Sequence, residues 1–205
     1  MIEIKHIASL LFVIMGLWGA KLGAEEKILL VSMGKIDVSL LQFLKDNLQQ
    51  IFEVKVDVAS APPFFEGSYN PFRKQYNSSR ILEKYTKPQG YTKVLLIFGN
   101  DLYCEGLNFV FGEADISKGV AIISTARLDN RFYGLPEDEK LFKLRTLKEA
   151  VHELGHLYGL SHCSDPSCVM HFSNTLLDTD RKSFRFCPKC REKLEKKIER
   201  KDWGQ

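Results

Sequence analysis

Hydrophobic and polar positions alternate in blocks that change period several times along the chain. Residues 27–33 (K-I-L-L-V-S-M) form a nearly unbroken apolar run, the pattern of a strand buried on both faces. Over residues 37–52, Leu40, Leu41, Leu44, Leu48 and Ile51 recur at helical spacing. Val54, Val56 and Val58 then alternate with Lys55 and Asp57, which reads as a half-buried strand. Strand, helix and strand in this order predict a parallel βαβ unit. Pro62-Pro63 closes it, and residues 64–77 read as a long ordered loop. A short helix over 78–85 and a buried strand over 93–98 follow. Two last strands are predicted over 107–114 and 119–128. Leu107, Phe109 and Phe111 alternate with Asn108 and Val110, so the first suits a sheet edge where an extended peptide could pair, or an ordinary amphipathic strand. From Pro136 a long helix is predicted, with acidic residues 137–139 in its first turn. Its apolar stripe is Leu144, Leu147, Val151, Leu154 and Tyr158.

That stripe carries the chemistry on its flank. Residues 152–162 read H-E-L-G-H-L-Y-G-L-S-H. Four residues apart on a helix, His152 and His156 lie one turn apart on one face, able to share a zinc ion at about 2.0–2.1 Å. Glu153, rotated by about 100°, stands beside the ion, where a carboxylate can take a proton from water. Gly159 can end the helix in the left-handed conformation, and His162 returns on the following loop. Three neutral imidazoles leave a coordination position open, as catalytic zinc sites do. The extended H-E-x-x-H-x-x-G-x-x-H spacing is far more specific than H-E-x-x-H alone.

A second constellation follows. Cys163, Cys168, Cys187 and Cys190 are spaced as C-x4-C and C-x2-C, two close thiol pairs that suit a closed structural zinc site. One or two disulfides are the competing reading. Cys104 is left over as a buried free thiol. Met170, eight residues after the third histidine, is placed to pack beneath the metal-binding rings, while His171 is unassigned.

Composition changes this picture little. At 205 residues and 44 % hydrophobic content the chain suits one domain with a sizeable core, and a net charge of +3 implies no acidic partner by itself. Residues 1–24 hold Lys5, an apolar run from Ile7 to Trp18, and small residues ending at Ala24, the pattern of a secretory signal or an uncleaved anchor. The division expected is thus residues 1–24 as signal or anchor and 25–205 as one domain. Within that domain, 25–158 hold the sheet and active-site helix and 159–205 form a cysteine-bearing C-terminal part. Export or membrane tethering follows from that reading; a mis-assigned start codon is the other reading of this segment, and a cytoplasmic location is the alternative.

The motif residues 152–163, with C168-V-M170 and C187-P-K-C190, resemble the archaemetzincins, zinc peptidases of the metzincin clan. Residues 107–114 and 132–139 also look like family sequence. The resemblance implies a compact α/β domain with a mixed twisted sheet, an active-site helix and a small zinc-stapled C-terminal part. It implies two zinc ions per chain. One is catalytic, on His152, His156 and His162, with Glu153 as general base and Met170 in the Met-turn. The other is structural, on the four cysteines. Family members are typically intracellular, so the signal-like start is a departure. A peptide or protein substrate is expected, with Leu107, Asn108, Phe109, Val110 and Phe111 as candidate substrate-binding residues. Endopeptidase and aminopeptidase action are not distinguished, and nothing points to an oligomer. The rival class is a non-catalytic, zinc-stabilised binding module with a basic face over residues 181–201. Few aromatics are interleaved there for stacking on nucleic-acid bases, and an open three-histidine site has no use in a pure binder.

Overall fold

The computed structural model describes residues 26–62 and 66–202. The signal or anchor expected over residues 1–24 lies outside them, and no described helix is long and apolar enough to cross a membrane.

Strand β1 (Lys27–Met33) pairs in parallel with β2 (Lys55–Ala61), joined through helix α1 (Val38–Phe52), as the periodicity predicts. The Asp37 side chain caps α1 by accepting from the Ser39 N–H at 2.7 Å. Residues expected to be only a loop also hold two short strands, β3 (Tyr69–Asn70) and β4 (Gln75–Asn77), before α2 (Ser78–Lys84). They join β6 (Leu102–Tyr103) in a small second sheet. These strands are too short for an alternating pattern to register.

The main sheet is completed by β5 (Lys93–Phe98), β7 (Gly112–Asp115) and β8 (Val120–Ser124), in the order β2-β1-β5-β8-β7. All neighbours are parallel except β7, which runs antiparallel to β8 at the edge. Alternate residues of the central strands feed two cores. Ile28, Leu30, Leu95, Ile97, Ala121 and Ile123 face α1 and helix α3 (Glu139–Leu157). Leu29, Val31, Val94, Leu96, Val120 and Ile122 face α2. Burial on both faces explains why β1, β5 and β8 read as continuous apolar runs.

Three expectations need correction. Of residues 107–114, only Gly112 onward enters the sheet; Val110 makes an isolated bridge to Leu102, and Leu107–Phe111 run as a loop. Of residues 119–128, the strand covers Val120–Ser124 and a 3-10 turn follows. The long helix starts at Glu139, with Asp138 rather than Pro136 at its entry, because the Asp138 carboxylate accepts from the Leu141 N–H at 2.9 Å. After α3 come α4 (Leu176–Arg181) and α5 (Pro188–Asp202). Pro188 is the first residue of α5, where a missing N–H costs nothing. The basic C-terminal face lies along this helix, with Lys196 and Glu192 paired at i,i+4 on its exposed side.

Candidate metal and active site

Helix α3 presents two faces. Leu147, Val151 and Leu154 are buried against the sheet. Its other flank is buried too, although it carries Arg145, Lys148, Glu149, His152 and Glu153. The charges of Arg145, Lys148 and Glu149 are satisfied by the segment that follows the cysteine loop. The Arg145 guanidinium donates to both Asp180 carboxylate oxygens at 2.6 and 2.7 Å, and the Lys148 ammonium donates to the Thr179 and Asp180 carbonyls at 2.9 Å. Lys182, almost wholly buried, meets Glu149 at 3.1 Å.

The three histidines come together. One nitrogen from each of His152, His156 and His162 lies within 4.8 Å of the others. The His152 Nδ1 contacts the Val169 carbonyl and the His156 Nδ1 contacts the Leu160 carbonyl, each at 2.8 Å. A carbonyl only accepts, so both Nδ1 atoms carry hydrogen and both Nε2 atoms present lone pairs. Those two Nε2 atoms face each other at 3.1 Å. Two lone pairs so placed repel unless a cation lies between them, and roughly 3.3 Å is the separation that tetrahedral zinc at about 2.0–2.1 Å requires. Burial also pushes His152 well below its ordinary pKa and lowers His156 and His162, favouring the neutral imidazoles that ligation needs. The donor set fits zinc.

Gly159 has φ +79°, and this left-handed turn brings the Leu160 carbonyl back under His156. The exposed His162 ring lies 4.8 Å from the Phe172 ring.

Glu153 lies between α3 and the edge strand. A Cβ at Gly112 would fall 2.6 Å from Glu153 Cγ and Oε1, so the side chain occupies the space that glycine leaves. Burial, reinforced by Glu149, holds its carboxyl well above the ordinary carboxylate range. Met170 is fully buried beneath the helix, and a Cβ at Gly155 would lie 2.5 Å from its Sδ. Neither glycine was singled out by sequence reasoning; local sequence carries no sign that a tertiary neighbour needs the room.

Beside His152 and Glu153 opens a cleft of about 200 Å³, lined on one wall by Leu107, Asn108, Phe109, Val110, Phe111 and Gly112 and on the other by Phe172, Ser173 and Asn174. All five candidate substrate-binding residues are therefore on it, though as a loop. Part of that loop's backbone is already engaged. Arg73 donates to the Leu107 and Asn108 carbonyls at 3.1 and 3.0 Å, and the Val110 N–H donates to the Leu102 carbonyl at 3.0 Å. Arg127, paired with Asp101 at 2.7 Å, lies over the Phe109 ring.

The four remaining candidate ligands also converge. The sulfurs of Cys163, Cys168, Cys187 and Cys190 all lie within 4.8 Å of one another, with Cys163 and Cys187 at 3.9 Å. All are free thiols, and that spacing is near the roughly 3.8 Å expected for tetrahedral zinc–thiolate ligation at about 2.3 Å. Cys104 is also free but only half-buried, and desolvation with Glu113 nearby raises its pKa. His171 stays outside both clusters, its Nδ1 contacting the Cys163 carbonyl at 3.0 Å.

Comparison with known proteins agrees with this geometry. Residues 65–196 match the model of peptidase family M54. The archaemetzincin of Pyrococcus furiosus is 42 % identical over 184 residues, covering 86 % of this chain and 96 % of that protein. The crystal structure of archaemetzincin from Methanopyrus kandleri superposes with a TM-score of 0.76 at 38 % identity, over 86 % of this chain and 97 % of its own. The structure of a zinc-dependent peptidase from Methanocorpusculum labreanum gives 0.74 at 34 % identity, over 82 % and 99 %.

Proposed function

This chain belongs to the archaemetzincins, peptidase family M54, whose members are zinc-dependent peptidases, and from that premise we propose that Glu153 is the general base of its peptide hydrolysis. The catalytic zinc is assigned to His152, His156 and His162. The observation that carries this reading is the pair of opposed Nε2 lone pairs with a buried carboxylate on the next helical position. Zinc held there supplies Lewis acidity, polarising a carbonyl and making water more acidic.

The protein's own groups do the rest. Glu153 Oε1 or Oε2 accepts a proton from the attacking water and then returns it to the leaving amine. Burial lifts its carboxyl well above the ordinary carboxylate range, which makes the carboxylate a better proton acceptor than an exposed one. The Val169 and Leu160 carbonyls hold two rings in the tautomer that keeps Nε2 free. The cleft walls at residues 107–111 and 172–174 receive the peptide. Glu153→Gln should retain zinc while kcat falls at least about 10²-fold; undiminished hydrolysis of a peptide library by this variant removes Glu153 from the mechanism.

We assign a second, structural zinc to the four cysteines. The paired substitution of Cys187 and Cys190 by serine should reduce bound zinc from two ions per chain to one. Two ions remaining in that variant would overturn the assignment.

A further inference from the structure

The floor of the cleft holds polar groups that the proposed chemistry does not use. Glu149, one turn before His152 on α3, lines the cleft and is 3 % exposed. Its Oε1 is fully engaged, meeting Lys182 Nζ at 3.1 Å and accepting from the Thr179 hydroxyl at 3.0 Å. Among the described residues no hydrogen bond reaches its Oε2. On the opposite wall, the Ser173 hydroxyl is buried and has no hydrogen-bond partner among the described residues. A substrate that fills the cleft takes water away from the Glu149 carboxylate and covers the unpaired Ser173 hydroxyl, so it must supply partners for both or leave them unmatched at a cost.

We propose that this cleft selects a substrate side chain ending in a carboxamide, glutamine or asparagine, next to the bond that is cut. This rests on the peptidase reading above and gives it a substrate class. The amide nitrogen donates to Glu149 Oε2, and the amide oxygen accepts from the Ser173 hydroxyl. Phe109, Phe111 and Phe172 cover the apolar stem. An aliphatic side chain of the same length leaves both polar groups unpaired, the kind of mismatch that buried sites reject strongly. A cationic side chain gains little, because Lys182 already neutralises Glu149 from 3.1 Å. An acidic one meets both Glu149 and Glu153. The carboxylate works here as a fixed acceptor, its orientation set by Lys182 and Thr179.

Binding to the zinc-loaded Glu153→Gln protein tests this without relying on turnover. The probes are five-residue peptides, blocked at both ends, with alanine at every position except a central glutamine, leucine, lysine or glutamate. Calorimetry should show the glutamine peptide binding at least about tenfold tighter than the other three. Ser173→Ala should shrink that preference severalfold. The double substitution Glu149→Leu with Lys182→Met, which leaves no lone buried charge, should abolish it. Equal or tighter binding of the leucine or lysine peptide overturns the proposal, as does a preference that survives the double substitution or an absence of binding by all four. Turnover by the zinc-loaded wild type reads the other claim separately. If it cuts none of the peptides while the binding order holds, the peptidase reading fails and the cleft assignment stands. If it cuts them all with leucine favoured, the reverse is true.

Discussion

Adding one methyl group at Gly112 should silence the site while leaving the protein folded and metallated. The alanine Cβ would lie 2.6 Å from Glu153 Cγ and Oε1 and 2.8 Å from Cδ, where ordinary contacts begin near 3.4 Å. The carboxylate must therefore retreat by about 1 Å, and displacement of a catalytic group by that distance typically lowers turnover by about 10²-fold. The backbone itself raises no objection. Gly112 lies in an antiparallel strand without a positive φ, and alanine there is entropically favoured over glycine by about 0.5–1 kcal/mol. The histidines are untouched. Gly112→Ala is thus expected to keep its zinc and melt within a few degrees of the wild type, with kcat on a quenched-fluorescence peptide reduced about 10²-fold. Zinc content, a thermal melt and steady-state kinetics on one preparation are sufficient. A kcat within threefold of wild type, with zinc retained, would show that the position of Glu153 against β7 does not matter to catalysis.

Gly155→Ala sets two effects against each other. Helix propensity favours alanine by about 0.8–1.0 kcal/mol, but its Cβ would sit 2.5 Å from Met170 Sδ, and overpacking costs about 1–3 kcal/mol. A net loss of stability is expected in denaturant unfolding; a gain would mean that Met170 is free to move away. Lys182→Met leaves the buried Glu149 carboxylate without its ion-pair partner, which should cost about 3–5 kcal/mol, and adding Glu149→Leu should recover most of it. Urea midpoints of the single and double variants check this, and a single variant as stable as wild type would deny that the pair is buried.

The gathering of the three histidines was legible because their spacing is a property of the helix. His152 and His156 must share a face wherever that helix goes, and Gly159 marks the turn that brings back His162. The central strands were legible because both of their faces are covered. By contrast, residues 107–111 alternate like a strand without being one. Phe111 is buried with its ring 5.2 Å from that of Phe109, Phe109 packs under Arg127, and the Leu107 and Asn108 carbonyls are taken by Arg73, thirty-odd positions earlier. The charged flank of α3 was equally hidden. Arg145, Lys148 and Glu149 have the spacing of a solvated face, and only the docking of Thr179, Asp180 and Lys182 buries them. Periodicity records which residues avoid water, and it is blind to charges that are buried with their partners.

The same blindness conceals how the two ligand clusters depend on each other. His162 and Cys163 are consecutive, and so are Cys168, Val169 and Met170, so one short segment serves both clusters. The Cys163 N–H donates to the Met170 carbonyl at 2.9 Å, closing that segment into a loop. Its two cysteines reach Cys187 and Cys190 at the start of α5, its Val169 carbonyl orients His152, and its methionine fills the space at Gly155. A segment with no strand or helix of its own has little backbone pairing to fix it. The structural zinc proposed for the four cysteines would supply that rigidity, since ligation restrains a loop as folding does. The cysteine cluster therefore belongs beside the histidines: a ring nitrogen aimed through a loop carbonyl is placed only as well as the loop is.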